Sequence, residues 1–157
     1  MNLITSTGVG PLFGTMEHSS HITDLDLQRN LIWNEGASLV ARSLGNNALP
    51  NLTRLCFSQC GIGDDGFTAL VSALEQNTSL LQLNLRRNPI LSERVFLALA
   101  ESLPEIKVLQ RLELHWCTGL ASAMPLLVAG LHKNTSLFCF HVDGCAPSSV
   151  PPRAAVT

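Results

Sequence analysis

Side chains that could coordinate a metal ion occur together in the C-terminal third of the sequence. Cys139 and Asp143 each lie two residues from His141, and His115 lies in the preceding apolar segment. We place His115 and His141 at equivalent positions of neighbouring strands, where imidazole, thiolate and carboxylate groups could bind zinc. Surface histidines are nevertheless more common than metal sites. The prediction is therefore a chain that holds no metal and needs no cofactor.

The sequence has none of the short motifs that mark well-known catalytic sites. It lacks a G-x-S-x-G nucleophile turn, a phosphate-binding loop and an H-E-x-x-H metal motif. Strand alternation places Cys56 and Cys139 on an outward face, but no charged neighbour that would activate either thiol is evident. We therefore predict a protein that is not an enzyme.

Composition limits which class of partner and which cellular compartment we expect for this chain. The 157 residues carry a net charge of −2 and no basic patch of the kind that binds nucleic acid or a membrane surface. The five cysteines are odd in number and widely spaced, which is typical of a reducing compartment. The N-terminus has no signal-peptide pattern. We expect a cytoplasmic or nuclear protein that binds neither nucleic acid nor membrane.

One pattern, apolar residues at positions 1, 4 and 6 followed by Asn or Cys at position 9, occurs five times. The copies begin 30, 28, 29 and 28 residues apart, at Ile22, Leu52, Leu80, Leu109 and Leu137. Helical apolar spacing follows the first four copies, as in Phe67, Leu70, Val71 and Leu74, and in Met124, Leu127, Val128 and Leu131. Each repeat is thus predicted to be a short strand, a turn and an amphipathic helix.

Neither element of such a repeat can bury its apolar face alone, so the repeats must stack. We predict an α/β solenoid with a parallel sheet on the concave side and helices on the convex side. Side chains alternate along a strand, so the residues between the leucines face outward. The predicted partner-binding residues are Asp24, Asp26, Gln28, Arg54, Cys56, Ser58, Gln82, Asn84, Arg86, Arg111, Glu113, His115, Trp116, His141 and Asp143. Arg86, Arg111 and Trp116 are the predicted anchors, whereas Trp33 is expected to be a turn residue that packs on the stack.

The leucine triplets, the 28–30 residue period and the phrases GIGDDGFTALVSALEQNTSL and VAGLHKNTSL resemble the ribonuclease-inhibitor-like class of leucine-rich repeats. This resemblance covers about residues 1–145 and implies an intracellular horseshoe scaffold that binds another protein. It also implies a buried hydrogen-bonding ladder at the Asn or Cys position, which here holds Asn30, Cys60, Asn88, Cys117 and Cys145. The Asn-Thr-Ser sequences at Asn77 and Asn134 would then lie in the turns from helix to strand.

Several functions fit this resemblance. The first is a scaffold for a protein partner of unknown identity. Some members of the class resemble Ran GTPase-activating proteins, and a regulator of a small GTPase would use loop residues such as Asn30, Asn88, Arg29, Arg86 and Arg87. Inhibition of a nuclease is a third function, although the concave face is not strongly acidic.

The two ends keep less of the repeat pattern. Residues 1–21 have Val9, Leu12, Phe13 and Met16 at helical spacing and are predicted to be a partial repeat without its strand. Residues 22–145 form the repeats, and residues 146–157 form a flexible Pro-rich tail. Because no polar capping repeat is evident, we predict either a fragment of a larger repeat protein without independent activity or a chain that associates end to end.

Overall fold

Strands and helices alternate along the computed structural model, which describes residues 4–17, 19, 21–89, 92–114 and 120–142. The helices of these residues are α1 (Ser6–Met16), α2 (Trp33–Gly45), α3 (Asp64–Gln76), α4 (Glu93–Ser102) and α5 (Leu120–Lys133). The strands are β1 (Asp24–Asp26), β2 (Arg54–Cys56), β3 (Gln82–Asn84), β4 (Arg111–Glu113) and β5 (Cys139–His141).

The strands form one parallel sheet whose order, β1-β2-β3-β4-β5, follows the chain. Neighbouring helices pack on each other in the same order, from α1 to α5. The middle residues of the strands lie side by side without any slip in register: Leu25, Leu55, Leu83, Leu112 and Phe140. The predicted α/β leucine-rich-repeat solenoid is confirmed.

The core lies between the sheet and the helices. The inward residues of the central strands, Leu55, Leu83 and Leu112, are almost completely buried. They are joined by the helical stripes predicted from spacing, and the rings of Phe67 and Phe96 lie 6.0 Å apart between neighbouring helices. Burial of one such side chain contributes about 1.5–3 kcal/mol, so the stability of each repeat depends on the repeats beside it.

Helix α5 departs from the predicted stripe. Leu127 is fully buried, but Met124 is 37% and Val128 is 43% exposed, so the expectation that both pack inward was wrong. Ala123 and Gly130 are the buried residues on either side of Leu127. Among the described helices α5 packs on α4 only.

Buried polar side chains form a ladder after β1, β2 and β3, as the resemblance implied. The Asn88 side chain accepts the N–H groups of Cys60 and Ile62 at 3.0 Å and donates to the carbonyls of Phe57 and Leu85 at 2.8 and 2.9 Å. Two repeats earlier, the Asn30 side chain accepts the N–H group of Ile4 at 2.8 Å and donates to the Leu27 carbonyl at 2.9 Å. The Cys60 thiol donates to the Leu27 carbonyl at 3.0 Å. Cys117 and Cys145 lie outside the described residues.

A second set of asparagines organises the turns from helix to strand. Asn77 accepts the N–H groups of Ser79 and Leu80 and donates to the Leu44 carbonyl. Asn134 does the same with Ser136 and Leu137, and donates to carbonyls of the preceding repeat. The Asn-Thr-Ser sequences are therefore structural turns, as predicted.

The first helix also follows the predicted spacing. Val9 and Phe13 of α1 are buried against α2. Just before α1, Thr5 forms a parallel bridge with Leu31, and the Ile4 N–H donates to the Asn30 side chain. The residues before β1 thus continue the repeat stack. The predicted tail at 146–157 lies outside the described residues.

Candidate functional site

The outward side chains of the sheet form two rows, because the strands share one register. The first row consists of the residues that begin the strands: Asp24, Arg54, Gln82, Arg111 and Cys139. The second row consists of the residues that end them: Asp26, Cys56, Asn84, Glu113 and His141. A depression of about 260 Å³ lies over the first four strands and is lined mainly by these two rows. The structure therefore brings together most of the predicted binding residues.

Asp24 and Arg54 form an ion pair at the β1 side of the first row. The Asp24 carboxylate also accepts the Thr23 hydroxyl at 2.8 Å. These hydrogen bonds, with that from Arg54 the stronger influence, hold the pKa of Asp24 below its usual value. The Asp24 carboxylate therefore stays ionised at neutral pH.

Glu113 is the centre of a charged cluster on the β4 side. Its carboxylate lies 3.2 Å from Nε of Arg86, 3.7 Å from a guanidinium nitrogen of Arg111 and 3.8 Å from Nδ1 of His141. The Glu113 side chain is 13% exposed, whereas those of Arg86, Arg111 and His141 are 39–44% exposed. The carboxylate is thus sheltered beneath groups that reach into solvent.

The predicted equivalence of His115 and His141 was wrong. The register pairs His141 with Glu113, because His141 is four residues and His115 six residues from the first leucine of its own repeat. Two residues along a strand amount to about 6.6 Å. Among the described residues no group of three or more His, Cys, Asp or Glu side chains is arranged to hold a metal ion.

A hydrogen-bonded turn fixes Asp26 beside Cys56. The Asp26 carboxylate accepts the backbone N–H and the side-chain amide of Gln28, both at 2.9 Å. Burial raises the pKa of the Cys56 thiol, and the charge of Asp26 raises it further. Cys56 is therefore a half-buried thiol on the second row with little tendency to ionise.

The strands are three residues long, so Gln28, Ser58 and Arg86 lie in the turns after them rather than in the sheet. Arg29 and Arg87 occupy the next turn position with φ near +57° and +56°. Both arginines are exposed and form a rim along one edge of the face. The ladder asparagines Asn30 and Asn88 are buried, so the structure does not favour a GTPase-contacting role for them.

Trp33 lies at the first position of α2, with its ring against Gly61 and 48% of its surface exposed. Its packing on the neighbouring turn agrees with the prediction. Three predicted face residues, His115, Trp116 and Asp143, lie outside the described residues. Trp116 therefore stays a predicted anchor.

Exposed apolar side chains that the sequence pattern does not predict lie near α5 and β5. The most exposed of them is Phe138, with 74% of its surface accessible, on the segment that leads into β5. Met124 and Val128 of α5, which lie one helical turn apart on the same side of the helix, are also exposed. We call Phe138, Met124 and Val128 the α5-end patch. Leu126 is exposed as well, but it lies with Leu97 and Ala100 of α4. The exposure of Met124 and Val128 depends on which helices surround α5, which a helical period does not encode.

Comparisons with known proteins agree with this architecture. A family model described as "Leucine Rich repeat" matches residues 18–41 and 48–71. The mouse (Mus musculus) centrosomal protein of 78 kDa is 34% identical over 110 residues, which are 67% of this chain and 13% of that protein. The human (Homo sapiens) NACHT, LRR and PYD domains-containing protein 5 is 37% identical over 137 residues, or 85% of this chain and 11% of that protein. The chain therefore spans a small part of the length of these relatives.

Two solved structures share the fold. One is described as leiomodin-1 actin-binding site 2, with a TM-score of 0.70 and 18% identity over 85% of this chain and 76% of that one. The other is the tropomodulin C-terminal domain of Caenorhabditis elegans, with a TM-score of 0.71 and 12% identity over 86% and 82% of the two chains. No helix among the described residues is long and apolar enough to cross a membrane.

Proposed function

Because the chain belongs to the leucine-rich-repeat family, we propose that it is a non-catalytic scaffold that binds a protein partner on the outward rows of its sheet and the adjoining turns. The observation that carries this proposal is the juxtaposition of the Asp24–Arg54 pair and the Glu113 cluster around one depression. Their charged groups are held in place before a partner arrives, which lowers the entropy cost of binding. Arg86 and Arg111 are the anchors within the described face, since arginine is enriched at interface hot spots.

The size of the face bears on the affinity. Five strands about 4.8 Å apart span ~24 Å, and the strands are only three residues long. A stable interface usually buries about 800 Å² on each partner. The sheet alone offers less, so the partner is expected to contact the rim arginines, Arg29 and Arg87, as well.

Crosslinking from defined positions tests which face binds. A photoreactive amino acid at Gln82 lies in the middle of the first row, and the same group at the exposed Ser72 of α3 reports the helical side. The proposal expects crosslinks from Gln82 and few from Ser72. Purified actin is one suitable first bait, because the similar leiomodin-1 structure is named for actin binding.

Affinity measurements with the crosslinked partner then test the anchors. Arg86→Ala with Arg111→Ala should weaken binding at least tenfold, which corresponds to about 1.4 kcal/mol. Arg42→Ala on the exposed side of α2 is the matched control and should leave the affinity unchanged. Equal affinities for the double variant and the native chain, or a loss confined to Arg42→Ala, would contradict the assigned face.

The α5-end patch supports a second, weaker interaction, in which two copies of the chain pack end to end. Phe138, the most exposed of its three apolar side chains, directly precedes β5, whose described partner is β4 alone. A second copy would cover the patch and the outer edge of the strand together.

We place the action of the chain inside the cell, in the cytoplasm or the nucleus, and the centrosomal name of the mouse relative supports this assignment.

A further inference from the structure

A thiol, an imidazole and a carboxylate follow one another at the β5 edge of the face. Sγ of Cys139 lies 3.6 Å from Nε2 and 3.8 Å from Nδ1 of His141. Nδ1 of His141 lies 3.8 Å from the carboxylate of Glu113 on the neighbouring strand. A nucleophile within reach of a base, with a third group facing the base, is the usual arrangement of an activated thiol.

The strand register adds a permanent cation to this group. Arg111 is the direct cross-strand neighbour of Cys139, and paired positions of adjacent strands are about 4.8 Å apart. Cationic groups beside a thiol stabilise the thiolate, which is the reactive form. The Glu113 carboxylate is paired with the permanent cations Arg86 and Arg111, which compensate its negative charge.

Two other thiols of the described residues, Cys56 and Cys60, lie in surroundings that disfavour the thiolate. Cys56 lies on the same face, but its cross-strand neighbour is Asp26, and burial together with that carboxylate raises the pKa of its thiol. Cys60 is buried in the ladder, and burial raises the pKa of its thiol to about 11. Cys139 is partly exposed. Its neighbours are Arg111 and His141, whereas Asp26 is a cross-strand neighbour of Cys56.

We propose that Cys139 is a reactive thiol that forms mixed disulfides with small-molecule disulfides, with His141 as the acceptor of its proton. The proton passes from Sγ of Cys139 to a ring nitrogen of His141. The thiolate then attacks one sulfur of the disulfide, a new S–S bond forms, and the other sulfur leaves as a thiolate that takes up the proton. This reactivity needs no protein partner and is therefore independent of the proposed scaffold function.

Site-resolved labelling of the native chain tests this assignment. Iodoacetamide reacts with thiolates, and tandem mass spectrometry assigns the label to each cysteine. Cys139 should react at least tenfold faster than Cys56, and Cys60 should remain protected until the chain unfolds. Oxidised glutathione, the disulfide probe, should add one glutathionyl group at Cys139. Equal labelling rates at Cys139 and Cys56, or no glutathionyl adduct at Cys139, would overturn the proposal.

Variants test whether His141 activates the Cys139 thiol or whether Cys139 reacts only because it is exposed. His141→Gln should slow labelling of Cys139 about tenfold, while His132→Gln on the exposed side of α5 should have no effect. Glu113 acts as a positioning residue, so Glu113→Gln should slow the reaction about threefold and Glu113→Asp should restore most of the rate. Protection of Cys60 monitors the fold in every variant. An unchanged rate in His141→Gln, or the same loss in His132→Gln, would remove the assigned role of His141.

Discussion

Replacing Asn88 with Ala should remove a large part of the stability of the chain. The Asn88 side chain is 2% exposed; it accepts two backbone N–H groups of the preceding repeat and donates to one carbonyl of that repeat and one of its own. A buried polar group that loses its partner costs about 1–3 kcal/mol. The N–H groups of Cys60 and Ile62 both lose their acceptor, so we expect a decrease of ~3–5 kcal/mol in the free energy of unfolding. Small domains are typically stable by only about 5–15 kcal/mol.

Urea unfolding followed by circular dichroism measures this decrease. Gln82→Ala on the open face is the control, since a surface change of this kind usually costs less than about 0.5 kcal/mol. Asn88→Cys introduces the residue that occupies the same repeat position at Cys60. Its thiol can donate to a carbonyl, as Cys60 does, but it does not replace the acceptor for two N–H groups, so an intermediate loss is expected. A loss below about 1 kcal/mol for Asn88→Ala would refute the ladder as a source of stability.

Three further predictions concern other parts of the chain. Gly61→Ala should lower the free energy of unfolding by about 1–2 kcal/mol or more in urea titrations, since this is about the cost of placing an L-residue in the left-handed region. Gly61 has φ +72°, and an added Cβ would lie 2.6 Å from the Trp33 ring. Gly63→Ala is the milder control, and equal decreases in the free energy of unfolding for the two variants would contradict this prediction. Burial raises the pKa of Cys60 from 9.0 to about 11, so between these pH values the folded chain retains a proton that the unfolded chain loses. This contribution to stability should be complete below pH 9 and should disappear as the pH rises toward 11. The free energy of unfolding is measured against pH, and a decrease for the native chain no greater than that for Cys60→Ala would show that the effect is absent. Phe138→Ser should shift sedimentation toward the monomer without lowering the melting temperature, and an unchanged distribution would argue against the α5-end patch as a self-association surface.

The sequence predicts the fold well because a single constraint repeats. Each strand must bury its leucines, so the spacing from Leu55 to Leu83 and Leu112 directly determines which residues become neighbours in the sheet. The ladder follows from the same periodicity, since Asn30, Cys60 and Asn88 occupy one repeat position. Buried residues of a repeat protein have little freedom, and their types therefore report their environment.

The candidate site is harder to predict, because its contacts depend on register and on neighbours. Alternation places Glu113 and His141 outward, but it does not show that they are cross-strand neighbours. The sequence pattern had matched His141 with His115, which lies two residues after Glu113. The exposure of Met124 depends likewise on which helices surround α5. Side-chain alternation determines the face of a residue, whereas an exact cross-strand alignment is needed to determine its partner.

The charge balance around Glu113 indicates what a partner must supply. Arg111 carries about five N–H donors, and its side chain is 39% exposed beside Glu113, with one guanidinium nitrogen 3.7 Å from the carboxylate. One carboxylate at that distance does not use all the donors of Arg111. A partner carboxylate placed over the cluster would accept hydrogen bonds from the exposed guanidinium group. An acidic residue at the centre of the partner's contact surface is therefore the chemistry that this face selects, and binding that is unaffected when the partner's acidic residues are neutralised would contradict it.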